Sequence, residues 1–383
     1  MRNMLTFSSP PLIISLTLAT LLFIITPPAV GAATIHVTSL GATPNGKTDS
    51  SKAFLSAWNS ACGSMDASAI TVPEGQFLMK TALKFNGQSC KSGVSVSDLT
   101  FDAKGASLLA CKRSGNGCPS DATLSHMVTR HATQLMEISC TTLLIAILSQ
   151  TLRFTNSMNI VINGITSINN QLYHIVIDGC KNVNVQGVKV FASGYSPNTD
   201  GIEVESSRGI TILSSNIGTD NNCVSIGEGT TNLWIEDMKC GPGIGSLRKQ
   251  ANAAGMQNIT VKTATFTSTN DGVRIKSWGR PSNGFVRNVL FEHIIMVNAK
   301  NPIIINQNYC RDSNVKINGV THQDIHGSSA TPVAVKFHCG PKYHCRDIKL
   351  EDKKLTYKNQ TTQSSCVNAD GSANGVIYPK CCF

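Results

Sequence analysis

From Asn159 onward the chain repeats one short phrase, a polar residue followed by aliphatic or β-branched residues at alternate positions. It recurs as Ile160/Ile162, Val183/Val185, Ile210/Ile212, Leu233/Ile235, Ile259/Val261, Val289/Phe291, Val315/Ile317 and Ile348/Leu350. Successive copies lie roughly 23–33 residues apart, a step that signals a solenoid. Alternation sends one side chain inward and the next outward, so a single copy buries little and a stack of copies builds one continuous core. Asparagine precedes many copies, at Asn159, Asn182, Asn232, Asn258, Asn288 and Asn314. It tolerates the left-handed backbone of a sharp corner, and stacked copies can hydrogen-bond along the coil axis. The pattern predicts an all-β parallel β-helix. A leucine-rich horseshoe lacks its consensus here, and the hairpin signals of a β-sandwich are few.

The remainder of the chain is read against that solenoid. Thr48 or Asp49 is placed to cap a helix whose apolar stripe is Phe54, Leu55, Trp58 and Ala61, a plug for the open end of the coil stack. The strand Ile70-Thr-Val72-Pro-Glu-Gly75-Gln-Phe77 begins the coils, whereas Gly105 to Ser149 shows no clean alternation and is left unassigned. Residues 1–32 carry Arg2, an apolar run from Leu12 to Ile25 and small residues at Ala29 to Ala33, the pattern of a secretory signal peptide. That apolar run is shorter than the ~20 residues a membrane span needs, so no membrane association is expected. Residues 33–383 are expected to form a single domain, because no linker or charge run divides them.

An exported chain changes how the cysteines are read. The 14 cysteines are an even number and are expected to pair mostly as disulfides, with Cys223–Cys240, Cys339–Cys345 and Cys366 with Cys381 or Cys382 as local staples. No CxxC pair recurs and no histidine sits at ligand spacing, so neither a metal nor a cofactor is expected. Two glycosylation sequons occur, Asn258-Ile-Thr260 and Asn359-Gln-Thr361. The formal net charge of +10 becomes +9 once Arg2 is removed, which favours polyanionic partners. Aromatics are only 6% of the chain, so base-stacking platforms and nucleic-acid binding are not expected.

A second set of strands carries polar residues. Asn198-Thr-Asp200-Gly-Ile-Glu-Val204 is echoed by Asn221-Asn-Cys-Val-Ser-Ile226 and by Asn270-Asp-Gly-Val-Arg-Ile-Lys276. Stacking at about 4.8 Å would bring Asp200, Asn222, Arg274 and Lys276 onto one groove, with Glu203 as a solvated strand residue. Arginine and lysine there suit a carboxylate-bearing sugar.

The ordered segments Ser196-Pro-Asn-Thr-Asp-Gly201, Cys223-Val-Ser-Ile-Gly227, Cys240-Gly-Pro-Gly243, Gly272-Val-Arg-Ile-Lys276 and Asn306-Gln-Asn-Tyr-Cys310 closely resemble the plant polygalacturonases, including exopolygalacturonases. Ile244-Gly-Ser-Leu247, Ser329-Ala-Thr-Pro332 and Val72-Pro-Glu-Gly75 add to the match, which covers most of residues 34–383. The resemblance implies a right-handed parallel β-helix and inverting hydrolysis of α-1,4 bonds in homogalacturonan, the pectin of cell walls. It implies a secreted, monomeric protein of the cell wall. Carried over residue by residue, Asp200 matches a catalytic carboxylate, Arg274 and Lys276 the substrate-binding cations, and Tyr309 the site tyrosine.

The departures are as informative. Where the family has Gly-Asp-Asp-Cys, this chain reads Asp220-Asn221-Asn222-Cys223, so both adjacent acids are amides. The family's Gly-His-Gly turn is missing where Cys240-Gly-Pro-Gly243 runs into Ile244, and so is its glycine-rich turn near residue 105. Inverting hydrolysis needs two carboxyl groups roughly 6.5–9.5 Å apart, and asparagine supplies neither acid nor base. Impaired hydrolysis with retained pectin binding is therefore expected. The alternatives are a working hydrolase in which Asp220 substitutes, and a decaying gene product that folds poorly. A calcium-dependent lyase would want clustered acids that this groove has lost.

Overall fold

Apolar side chains at alternate positions set the inner wall of the molecule. Ile160, Val183, Ile210, Leu233, Ile259, Val289, Val320 and Ile348 are successive partners in parallel register, and all are buried. Two residues on, Ile162, Val185, Ile212, Ile235, Val261, Phe291, His322 and Leu350 form the next buried row. The chain is a parallel β-helix. The computed structural model describes residues 33–73, 75–79, 83–88, 90–91, 93–97, 100–102, 108–109, 128–129, 152–168, 170, 173–192, 199–219, 222–240, 254–278, 283–309 and 315–383. Residues 1–32 and Asn314 lie outside these. So does the unassigned segment 105–149, apart from the antiparallel pairing of Leu108–Leu109 with Val128–Thr129.

One row of the repeat differs from its sequence reading. The phrase Val315/Ile317 is not the coil equivalent of Val289/Phe291; Val320 and His322 take that place. Histidine broke the aliphatic alternation and drew the pattern five residues too early. His322 lies with its ring 5.3 Å from that of Phe291 and 5.8 Å from that of Phe337, an aromatic in the core row.

The corners follow backbone chemistry. Asn159, Asn182, Asn232, Asn258 and Asn288 all have φ between 54° and 57°, and Gly209, Gly319 and Asp347 occupy the same corner in their own coils. Asn182 donates from Nδ2 to Asn159 Oδ1 at 2.7 Å, Asn258 to Asn232 at 2.9 Å and Asn288 to Asn258 at 3.2 Å. The ladder stops at Gly209, which has no amide to offer. A second left-handed corner bends the long strands at Ser214, Asp237, Thr263, His293, Asp324 and Asp352.

A helix, Ser51–Gly63, packs on the first coils. Its N-cap is Ser50 and not the expected Thr48 or Asp49, and the Asp49 carboxylate accepts the Ser51 N–H at 3.0 Å and its hydroxyl at 2.6 Å. Ala53, Phe54, Ala57, Trp58, Ala61 and Cys62 form the buried stripe, with Leu55 only partly buried. Four disulfides occur among the described residues: Cys62–Cys90, which spacing did not suggest, and Cys223–Cys240, Cys339–Cys345 and Cys366–Cys382. Cys180 and Cys381 are free thiols. No helix of the described residues is long and apolar enough to cross a membrane.

Two buried imidazoles tie this fold to pH. Burial lowers the pKa of both His174 and His322 from 6.5 to about 3. The unfolded chain takes up these protons near pH 6.5 while the folded chain stays neutral to about pH 3, so stability falls as pH drops through that window. The slope tends to about 1.4 kcal/mol per pH unit for each histidine. Thermal melts from pH 7 to pH 4 are expected to show a steep loss. In His322→Leu that loss is expected to be shallower by one proton.

Candidate functional site

The polar strands form two described ladders. One orders Val224–Ile226, Asp200–Glu205, Tyr173–Asp178, Leu152–Thr155 and Leu83–Asn86; the other orders Asp271–Trp278, Asn301–Tyr309, Val333–His338 and Gln363–Val367. The first of these strands sets the register that matters: Ile202 pairs with Val224, so Asn222 comes beside Asp200. Gly201 permits this close approach, since a Cβ there would lie 2.4 Å from Ile217 Cγ2 and 2.5 Å from the Cys223 carbonyl oxygen. Gly201 N–H donates to the Asn222 carbonyl at 2.8 Å, and the Cys223–Cys240 disulfide holds the next residue.

Asp200 and Asn222 are both buried, with 6% and 4% exposure. Asp200 Oδ1 accepts the Asn222 backbone N–H at 2.8 Å and its side-chain Nδ2 at 3.0 Å. The contact joins a carboxylate to an amide, and an amide side chain has no titratable proton to lend or take. Asn221 lies outside the described residues. Glu203, expected to be solvated, is 1% exposed; Val176 and Ser225, its partners in register, are buried as well, so this outward row is covered.

On the second ladder Val273 and Ile275 are buried while Arg274 and Lys276 point to the opposite face. Arg274 is ion-paired to Asp271 on its own strand. Asp271 Oδ1 also accepts Asn301 Nδ2 at 2.9 Å, and Asn301 Oδ1 accepts Lys336 Nζ at 2.7 Å. Arg274, Ile304, Lys336 and Ser365 share one outward row, and Lys276, Asn306, His338 and Val367 share the next. The face therefore holds Lys336 and His338 in addition to the cations named from sequence. Their signal was present, because Val335-Lys-Phe-His338 repeats the alternation of Val273-Arg-Ile-Lys276. Asp271 was also legible, as the acid before glycine that echoes Asp200.

Tyr309 ends the strand Asn301–Tyr309 and stands in register with Trp278. Its side chain is outside the description. The Asp200 and Arg274 ladders are not paired with each other among the described residues, and residues 241–253 fall between them in sequence. Among the described residues no group of three or more His, Cys, Asp or Glu is placed to hold a metal ion.

Comparison with known proteins now bears on this arrangement. Residues 62–376 match the family described as glycosyl hydrolases family 28. The chain belongs to that family. It is 48% identical to a polygalacturonase of Prunus persica, over 91% of this chain and 93% of the relative. It is 35% identical to an exopolygalacturonase of Zea mays, over 91% of this chain and 90% of the relative. Among solved structures, the endo-xylogalacturonan hydrolase from Aspergillus tubingensis shares the fold with a TM-score of 0.63 at 18% identity, covering 90% of this chain and all of that one. Endopolygalacturonase I from Stereum purpureum, solved with two galacturonates, gives 0.57 at 16% identity, covering 84% and 98%. The chain is thus a family relative of polygalacturonases and shares their parallel β-helix fold.

Proposed function

We propose that this glycosyl hydrolases family 28 protein is an exported, monomeric cell-wall protein that binds homogalacturonan and hydrolyses it at or near background. The observation that supports this most is the Asp200–Asn222 contact, a carboxylate hydrogen-bonded to an amide at a position where the family resemblance calls for an acid. An inverting glycosidase needs one carboxyl group to protonate the leaving oxygen and carboxylate help for the attacking water. Asn221 and Asn222 offer neither, and the histidine turn has no counterpart in sequence. Removing one acid–base group costs a factor of roughly 10²–10⁴ in rate.

Binding is supported by the outward cations Arg274, Lys276 and Lys336 and by the net charge, +10 for the whole chain and +9 without Arg2. Asp271 already engages Arg274, so a sugar carboxylate would exchange for that partner, while the lysines add charge beside it. Tyr309 belongs to the same proposed site. Residues 1–32 serve as the signal peptide and residues 33–383 as one β-helix domain, with no metal or cofactor. The test is affinity electrophoresis through polygalacturonate combined with product analysis. Retarded migration without oligogalacturonide release is the expected result; free migration, or release of products, contradicts it.

Export makes the two sequons a prediction. Asn258 uses its Nδ2 to donate to Asn232 and its Oδ1 to accept from Asn288, so a glycan there would break the ladder. Asn359 is exposed at a turn. Mass spectrometry of the secreted protein is expected to find glycan at Asn359 and none at Asn258.

A further inference from the structure

A second basic cleft, whose lining includes neither Asp200 nor Arg274, lies where the loop between Val333–His338 and Cys345–Tyr357 faces the start of Lys316–Ser329. Its volume is about 590 Å³, and Lys316, Pro341, Lys342, Tyr343, His344 and Arg346 line it. That size is in the range of small-molecule sites. Lys342 Nζ sits 5.5 Å and Lys316 Nζ 5.8 Å from the centre of the half-buried Tyr343 ring. Neither lysine, nor Arg346, is in an ion pair among the described residues, and His344 Nδ1 contacts Asp370 Oδ2 at 3.6 Å. Two lysines beside one ring, with Arg346 lining the same cleft, repel one another until an anion joins them.

The cleft is held in shape from below. The Cys339–Cys345 disulfide closes the loop over a separation of six residues. Gln307, fully buried, accepts the Gly340 N–H at 2.8 Å through Oε1 and donates through Nε2 to the Val315 carbonyl. One amide thus ties both walls, the Tyr343 loop and the Lys316 strand, to the strand that ends in Tyr309. Asn368 Nδ2 adds a bond to the Cys339 carbonyl at 3.1 Å. A site fixed before its ligand arrives loses less on binding.

We propose that this cleft is an additional binding site for a uronate unit of an acidic polysaccharide. The pyranose C–H face packs on Tyr343, and the sugar carboxylate is received by Arg346 with Lys316 and Lys342 around it. Each part of the chemistry selects: a neutral sugar would use the ring and leave the cations idle, and a sulfated or phosphorylated polymer would use the cations and neglect the ring. The ligand class rests on the homogalacturonan reading, while the residues are separate from it.

The test is calorimetric titration of purified full-length protein with hexagalacturonate, with dextran sulfate as a charge-only control. Tyr343→Ala and Lys342→Ala are each expected to weaken hexagalacturonate binding about ten-fold. Tyr343→Ala is expected to leave dextran sulfate binding unchanged. Loss with Arg274→Ala but not with either cleft variant overturns this site and spares the proposed function. Loss with the cleft variants alone keeps this site and removes the groove reading. Equal losses on both polymers in Tyr343→Ala, or no binding by the parent protein, overturn the proposal. Unchanged melting temperatures certify that the exposed-loop variants are folded.

Discussion

Gly327→Ala is expected to lower the melting temperature and the yield of folded protein sharply. Gly327 has φ of +127°, a region an L side chain rarely adopts. An added Cβ would lie 1.9 Å from the Met296 carbonyl oxygen, 2.8 Å from its carbonyl carbon and 3.0 Å from its nitrogen. All three are backbone atoms of the neighbouring strand Phe285–Ala299, which is paired with Lys316–Ser329 along most of its length. A side chain could rotate out of the way; a laddered backbone cannot move without breaking the ladder. The cost is on the order of 3–5 kcal/mol, a large share of the usual 5–15 kcal/mol of total stability. Circular dichroism melts and the yield of soluble protein read this directly, and a variant melting within a degree or two of the parent contradicts it.

Trp58→Ala is expected to destabilise the N-terminal coils by about 3–5 kcal/mol. Trp58 is 1% exposed, stacks on Phe85 with centroids 4.7 Å apart and planes at 13°, and meets Phe154 edge-on at 5.8 Å. Its Nε1–H donates to the Asn86 carbonyl at 3.1 Å. The ring covers the open end of the stack, so its removal creates a cavity and exposes the first rows of core together. Trp58→Phe, which keeps an aromatic body and loses the hydrogen bond, is expected to cost about 1–2 kcal/mol. Hydrogen exchange is the matching measurement. Protection should fall first at Leu83–Asn86 and Leu152–Thr155 and persist at Cys345–Tyr357. Uniform loss along the chain would show that the helix is not acting as a cap.

The coil stack was legible because its signal is periodic and redundant. Seven of the eight strand phrases named from sequence fall in the observed rows, since in each an aliphatic pair had to face the core. The eighth failed at His322, where an aromatic imidazole does the work of an aliphatic side chain and no single-sequence pattern separates it from a polar residue. Register, in contrast, was legible at the site: the echo of Asp200-Gly-Ile by Asn222-Cys-Val places Asn222 against Asp200, as the hydrogen bonds show. What alternation hid was lateral context. Glu203 sits on the outward face by parity, yet its row is covered. The echo of Asp200 marks Asp271 as an acid before glycine, but not that it holds Arg274. The Tyr343 cleft had no signal in the strand pattern, because it is built from a loop and the start of a neighbouring strand that meet only after stacking.

The central claim is that the Asp200–Asn222 pair does no acid–base work. It is tested most directly by comparing initial rates of reducing-end formation from polygalacturonate for the parent protein and Asp200→Asn, at matched concentration. The expected result is two rates equal within error and close to that of buffer. A parent rate well above buffer that collapses by ~10²-fold or more in Asp200→Asn would establish Asp200 as a working catalyst and contradict the claim.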